Sequence, residues 1–306
     1  MGSLAPQYLN KKWEEMRMQV RRFDRAFPYL LIAPSFFVIF LVLIMPLGFS
    51  IYASVYECRY MNFTRFVGLD NFIRVLSNKD YLMSFGITFY VSMISLLISL
   101  AVGVLMALWI HKRKGIYAYI IQLVILIPWV TSQVVGSMLW KWILSEDLGL
   151  LNYFIEQLGG KKLALFSDKT LAVIVLIFVI SWRTIGYAMV NVLAGLKGIP
   201  IAVEEAAHID GVNRWQLLRY IRFPMIKTPL LISTIILTLS NINNLTVPLT
   251  LTGGGPGTAT NVITIPIYRL GFESFQFGPS SALSLVLFLI TLVFSIIYVR
   301  AVRYEI

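Results

Sequence analysis

Five stretches of this chain run free of charge for longer than the roughly 20 residues a membrane-spanning helix needs. They are Tyr29 to Tyr56, Tyr81 to Ile110, Gly115 to Trp140, Thr228 to Tyr268 and Ser274 to Val299. A sixth, Leu171 to Leu196, is interrupted only by Arg183. Backbone polar groups in hydrocarbon must be satisfied within the segment, so such runs fold as helices. Soluble domains carry about a quarter charged residues; this chain has 13% charged and 58% hydrophobic residues, with a mean hydropathy of +0.77. A soluble fold is excluded.

The run from Thr228 is too long for one span, and Gly253-Gly254-Gly255-Pro256-Gly257 must break it. The expectation is an all-α integral membrane protein of six transmembrane helices, at about 29–55, 82–110, 116–140, 171–195, 229–250 and 281–300. A short apolar segment near 262–270 falls in an outer loop. Tyr29 to Tyr56 is too long for a signal-peptide core and has no small-residue cleavage site after it, so it reads as a retained span. Residues 1–28 form a basic cytoplasmic segment in which Lys11 to Phe27 suits an amphipathic surface helix.

The net charge of +11 resolves into orientation rather than nucleic-acid binding. With the N-terminus inside, 16 of the 26 Lys and Arg lie in inner segments, nine in outer ones, and Arg183 within a span. The positive-inside rule then favours N-in, C-in. One cysteine, Cys58, and two separated histidines, His111 and His208, give no disulfide framework and no metal-ligand cluster.

The inner loop 198–224 carries the strongest local signals. Pro200 suits a first helical turn, and Glu204 and Glu205 favour that helix's positive end. Gly211 is a natural stop, and Asn213 can cap a second helix running to about Arg222. Ala206 and Ala207 leave one face small enough for another surface to approach closely. Such a helix–turn–helix is a docking element.

The order Glu205-Ala206-Ala207, Gly211, Ile221, Phe223-Pro224, with its spacing intact, resembles the EAA loop of ABC-importer permeases. The family usually has Leu where this chain has Phe223. Trp182-Arg183, Gly186-Tyr187, Ala194-Gly195-Leu196, Asn241-Ile242-Asn243-Asn244 and Leu251-Thr252-Gly253-Gly254-Gly255-Pro256 are similar to the sugar permeases of that family, in particular the maltose-type first permease subunit. The resemblance implies a type I ABC-importer permease fold in a bacterial or archaeal cytoplasmic membrane. It implies a coupling role for Glu204, Glu205, Ala206, Ala207, Asp210, Gly211, Ile221 and Pro224. It also implies a second homologous permease, two ATP-binding subunits that hold ATP and Mg, and an extracytoplasmic solute-binding protein. This chain has no catalytic constellation and no cofactor of its own.

Polar residues inside a membrane usually face a bundle interior or a watery cavity. Trp182, Arg183, Tyr187 and Asn191 in span four, with Asn241, Asn243 and Asn244 in span five, are the candidate sugar path. Arg183, Tyr187 and Asn191 recur at intervals of four and share a helical face. Amides match hydroxyls and rings cover the apolar face of a pyranose; interhelical hydrogen bonding is the competing use of each Asn. Arg183 is read as a structural ion pair or as snorkelling outward. Its use as an anion contact defines the alternative, an importer of the same class for glycerol phosphate or an acidic glycan. A secondary transporter is disfavoured by the coupling loop and by the absence of Asp or Glu in the assigned spans. Asp70-Asn71-Phe72 and Glu146-Asp147 are outer-loop candidates for contact with a solute-binding protein, or ordinary solvated loop residues.

Overall fold

The computed structural model describes residues 29, 31–113 and 115–303. The expected basic segment 1–28 lies outside them. The chain divides into two units, Met1–Ala53 and Ser54–Ile306. The first contributes nearly all of helix α1 (Leu31–Ser54). Its turn at Phe40–Ile44 widens to π-helix, with Met45 N–H bonded to Phe40 O just before Pro46, which has no N–H to donate.

The second unit opens with an antiparallel hairpin of β1 (Tyr56–Arg59) and β2 (Asn62–Phe66), so the fold is not all-α. A helix α2 (Asp70–Ser77) follows. Asn71 is buried there, its amide donating to Ser54 O and Tyr56 O, which ties the hairpin to the helix rather than offering the side chain to a partner.

Two long helices, α3 (Lys79–His111) and α7 (Lys169–Lys197), pack side by side as the centre of the bundle. Small and hydroxylated residues line their seam. A Cβ on Gly103 would lie 2.7 Å from Ala188 Cβ, and Ser99 Oγ and Thr184 Oγ1 are 2.7 Å apart. In lipid, where apolar burial drives little association, close backbone approach and interhelical hydrogen bonds hold such pairs.

Between them in sequence come α4 (Ile116–Val130), α5 (Gln133–Ile143) and α6 (Leu150–Gln157). The expected continuous span 116–140 is broken: α5 turns 98° away from α4 across Thr131 and Ser132, both extended. Gly186 of α7 lets α4 pack directly on it, since a Cβ there would strike Ile125 O. After α7 come α8 (Ile201–Ile209), α9 (Arg214–Met225) and α10 (Lys227–Ile242), with a 63° bend between the last two. The expected span 229–250 stops at Ile242, and a separate α11 (Thr246–Leu251) packs on α5. At about 1.5 Å rise per residue, α10 alone is shorter than a bilayer core. A short α12 (Thr264–Tyr268) continues through a π-turn into α13 (Phe277–Arg303). Among the described residues four helices are long and apolar enough to cross a membrane, or up to six if each bent pair is one span.

Among the described residues the interior holds four apolar clusters. Leu176 and Ile180 meet Val247 and Leu251; Ile110 and Met189 meet Leu196 and Ile226. Val75 and Ile242 meet Ile263 and Leu283; Leu96 and Ala188 meet Leu237. The second cluster carries α7 directly onto the loop that follows it.

Candidate functional site

The loop after α7 folds by local chemistry. Pro200 precedes α8 in an extended conformation, φ −60° and ψ 133°. At the other end Gly211 takes φ +75°, Gly211 N–H bonds to His208 O at 3.1 Å, and Val212 N–H to Ala207 O at 3.0 Å. These are the paired bonds of a Schellman stop, and the left-handed residue requires glycine. Asn213 and Gln216 then exchange two 2.9 Å side-chain bonds to each other's backbone N–H, a capping box that starts α9. The turn is fixed at both ends.

The two glutamates of α8 part company. Glu205 is exposed together with Ile201, Ala206, Ile209 and Asp210. Glu204 turns inward: Arg222 Nε donates to its Oε1 at 2.8 Å and Nη2 to its Oε2 at 3.1 Å. Arg222 is 9% exposed. His111 Nε2, at the end of α3, lies 3.9 Å from the same Oε1. The Arg222 hydrogen bond holds the Glu204 carboxyl below its ordinary pKa, against the opposing effect of burial. Ala207 is buried, Ile221 half-buried, and Pro224 exposed. The exposed part of α8 is mainly aliphatic, with the Glu205 carboxylate on it and Asp210 at its end, and is suited to a protein cleft. Arg222 was missed in the sequence because its partner is 18 residues away, beyond any helical spacing.

The candidate path residues separate into groups. Tyr187 packs on Trp129 with ring centroids 4.6 Å apart, and the Arg183 guanidinium sits 5.6 Å from the same ring. Arg183 Nη1 also donates to Thr131 O at 2.8 Å, so it caps the broken end of α4, and it makes no ion pair among the described residues. Asn191 donates to Tyr187 O at 2.9 Å, within its own helix. Trp182 lies on another face, edge-on to Trp140 at 5.4 Å.

The three asparagines point to three environments because α10 ends among them. Asn241 is 4% exposed, and neither its Oδ1 nor its Nδ2 has a partner among the described residues. Asn244 Oδ1 accepts Val247 N–H at 3.1 Å and so starts α11. Asn243 is exposed, donates to Leu239 O, and lines a cavity of about 330 Å3 with Thr264, Tyr268, Phe272, Ser284 and Thr291. Tyr268 and Phe272 stack in its wall at 5.4 Å. Sequence reasoning missed this wall; the signal available was an aromatic pair four residues apart, Tyr268 and Phe272. Glu146 Oε1 accepts Ser167 N–H and is occupied in its own loop. Among the described residues no group of three His, Cys, Asp or Glu is placed to hold a metal ion.

Residues 99–304, more than half of the 306, match the model of the binding-protein-dependent transport system inner membrane component family. The chain is 29% identical over 282 residues to the trehalose/maltose transport system permease protein MalF of Thermococcus litoralis, covering 90% of this chain and 94% of that one. It is 28% identical over 285 residues to the sn-glycerol-3-phosphate transport system permease protein UgpA of Agrobacterium fabrum, covering 92% and 96%. Its fold is similar to a chain of a bacterial alginate ABC transporter solved with an alginate-pentasaccharide-bound periplasmic protein, with a TM-score of 0.81 at 21% identity over 91% and 94% of the two chains.

Proposed function

Since the chain belongs to the family of inner-membrane components of binding-protein-dependent transport systems, we propose that it is the sugar-translocating subunit of an ATP-driven ABC importer and that α8 is its coupling helix. The observation that carries the coupling role is the exposed Ile201, Glu205, Ala206 and Ile209 face, presented on a helix locked by the Gly211 stop and the Asn213 box. The chain spans the bilayer six times with both termini cytoplasmic, four spans being single helices and the bent pairs α4–α5 and α9–α10 forming one each. Residues 1–28 are a basic cytoplasmic segment and 29–306 the permease domain. A second homologous permease completes the pathway, two ATP-binding subunits hold ATP and Mg, and an external solute-binding protein delivers the substrate.

ATP binding closes the ATPase pair, which draws the two coupling helices together and opens the cavity outward. Hydrolysis returns it to the inward state. The substrate is an oligosaccharide contacted by Tyr187, Asn241 and the Asn243 wall. Relatives named for trehalose/maltose, sulfoquinovosyl glycerol and glycerol-3-phosphate support a polyhydroxylated cargo. A neutral sugar is preferred because Arg183, the anion contact of the alternative reading, is engaged with Thr131 O.

The test is a double variant, Glu205→Arg with Gly211→Val, in the assembled complex. Gly211→Val strains a left-handed turn, and Glu205→Arg inverts the exposed charge. Binding-protein-stimulated ATP hydrolysis and uptake should both fall while membrane insertion persists. Unchanged coupling in this variant would remove the assignment.

A further inference from the structure

We propose that Glu204 and Arg222 are positioning residues: a partly buried ion-pair brace that transmits displacement of the coupling helix into α10, without touching the ATPase. The inference rests on the coupling role of α8. That helix is short, and Ala207 is its one buried residue. A helix of nine residues has little stability of its own, so a force on its exposed face moves the rest only through fixed connections. One is the backbone through Gly211 and Val212. The other is the bidentate contact from Glu204, in the first turn of α8, to Arg222, near the end of α9.

The position of Arg222 gives that contact its leverage. Its carbonyl accepts Ile226 N–H at 3.0 Å, immediately before the 63° bend into α10. Ile226 is fully buried in the cluster that also holds Met189 and Leu196 of α7. The far end of α10 carries Asn241 and the Asn243 cavity. Push and pull on α8 thus reach the base of α10 through two parallel N–H···O bonds, a geometry stiffer than a single contact. His111, 3.9 Å from Glu204, brings the end of α3 to the same point. Burial supplies the second argument. An arginine side chain with 10% exposure is retained at low cost only while paired, so the joint resists separation in both halves of the cycle.

The experiment uses the complete importer in lipid vesicles, with Arg222→Gln, Glu204→Gln, and the charge exchange Glu204→Arg plus Arg222→Glu. Two quantities are read: ATPase subunits retained on purification, and substrate transported per ATP hydrolysed. Each single variant should keep its ATPase subunits yet lose about tenfold in transport per ATP, within the usual range of coupling between sites. The exchanged pair should recover most of that loss, which a fold defect would not. The brace is overturned if the singles leave the ratio unchanged or shed the ATPase subunits, or if the exchange is no better than the singles. Glu205→Arg separates the two readings. If it stays coupled, the docking role of α8 fails and the brace fails with it; if only the brace fails, Glu205→Arg remains uncoupled.

Discussion

Arg183 Nη1 lies 2.8 Å from the carbonyl oxygen of Thr131, joining the middle of α7 to the residue at which α4 ends. Thr131 is extended, with ψ 144°, so its carbonyl has left the helical direction. A cation there also meets the negative end of the α4 dipole. The break at Thr131 is therefore held by a side chain from the neighbouring helix, and the same side chain flanks the Trp129–Tyr187 pair.

Replacing Arg183 by Met removes the donor and leaves Thr131 O without it. The expected loss is about 1.5–3 kcal/mol, the usual worth of a charge-assisted hydrogen bond. It should appear as a lower unfolding midpoint of the purified complex, with neutral-sugar uptake retained. Unchanged stability together with selective loss of an anionic cargo would make Arg183 a ligand instead.

Asn241 gives the opposite pattern. Its amide is buried without a partner among the described residues, and such a group costs about 1–3 kcal/mol relative to a satisfied or apolar one. Asn241→Leu should leave the complex as stable or raise its unfolding midpoint, while sugar uptake falls at least about tenfold, the loss expected when a substrate hydrogen bond is removed. A destabilised Asn241→Leu that still transports would show that the amide serves packing and not cargo.

The Glu204 carboxyl has a pKa below its ordinary 4.5 because Arg222 donates to it. Its contribution to stability is therefore complete above pH 4.5 and disappears as pH falls through the depressed native value. Unfolding midpoints of the parent and Glu204→Gln complexes, measured from pH 7 downward, should converge in that window. A constant gap at all pH values would mean that the carboxylate form contributes nothing.

Legibility in the sequence followed the range of the interactions. The apolar runs located α3, α7 and α13 because hydrocarbon admits few alternatives to a helix. The ends of α8 and α9 were readable from Pro200, Gly211 and Asn213, each acting within a few residues. The break at Thr131 was not, since Pro128 sits inside α4 and the turn is completed by Arg183, 52 residues on. The hairpin was hidden because Tyr60 and Met61 both take positive φ, 49° and 61°, in a turn that normally announces itself with Asn or Gly. The span-five asparagines looked like one polar patch on a helix, but the helix ends at Ile242 and sends them apart. Glu204 and Glu205 look equivalent in sequence, and the distant Arg222 and His111, both facing Glu204, distinguish them.

The central claim is tested most directly by uptake of a labelled oligosaccharide into vesicles holding the purified complex, with solute-binding protein outside and ATP inside. Uptake should require both and should continue when ion gradients are collapsed. Uptake that proceeds without ATP and stops when a proton or sodium gradient is dissipated would contradict an ATP-driven importer and make the chain part of a secondary transporter.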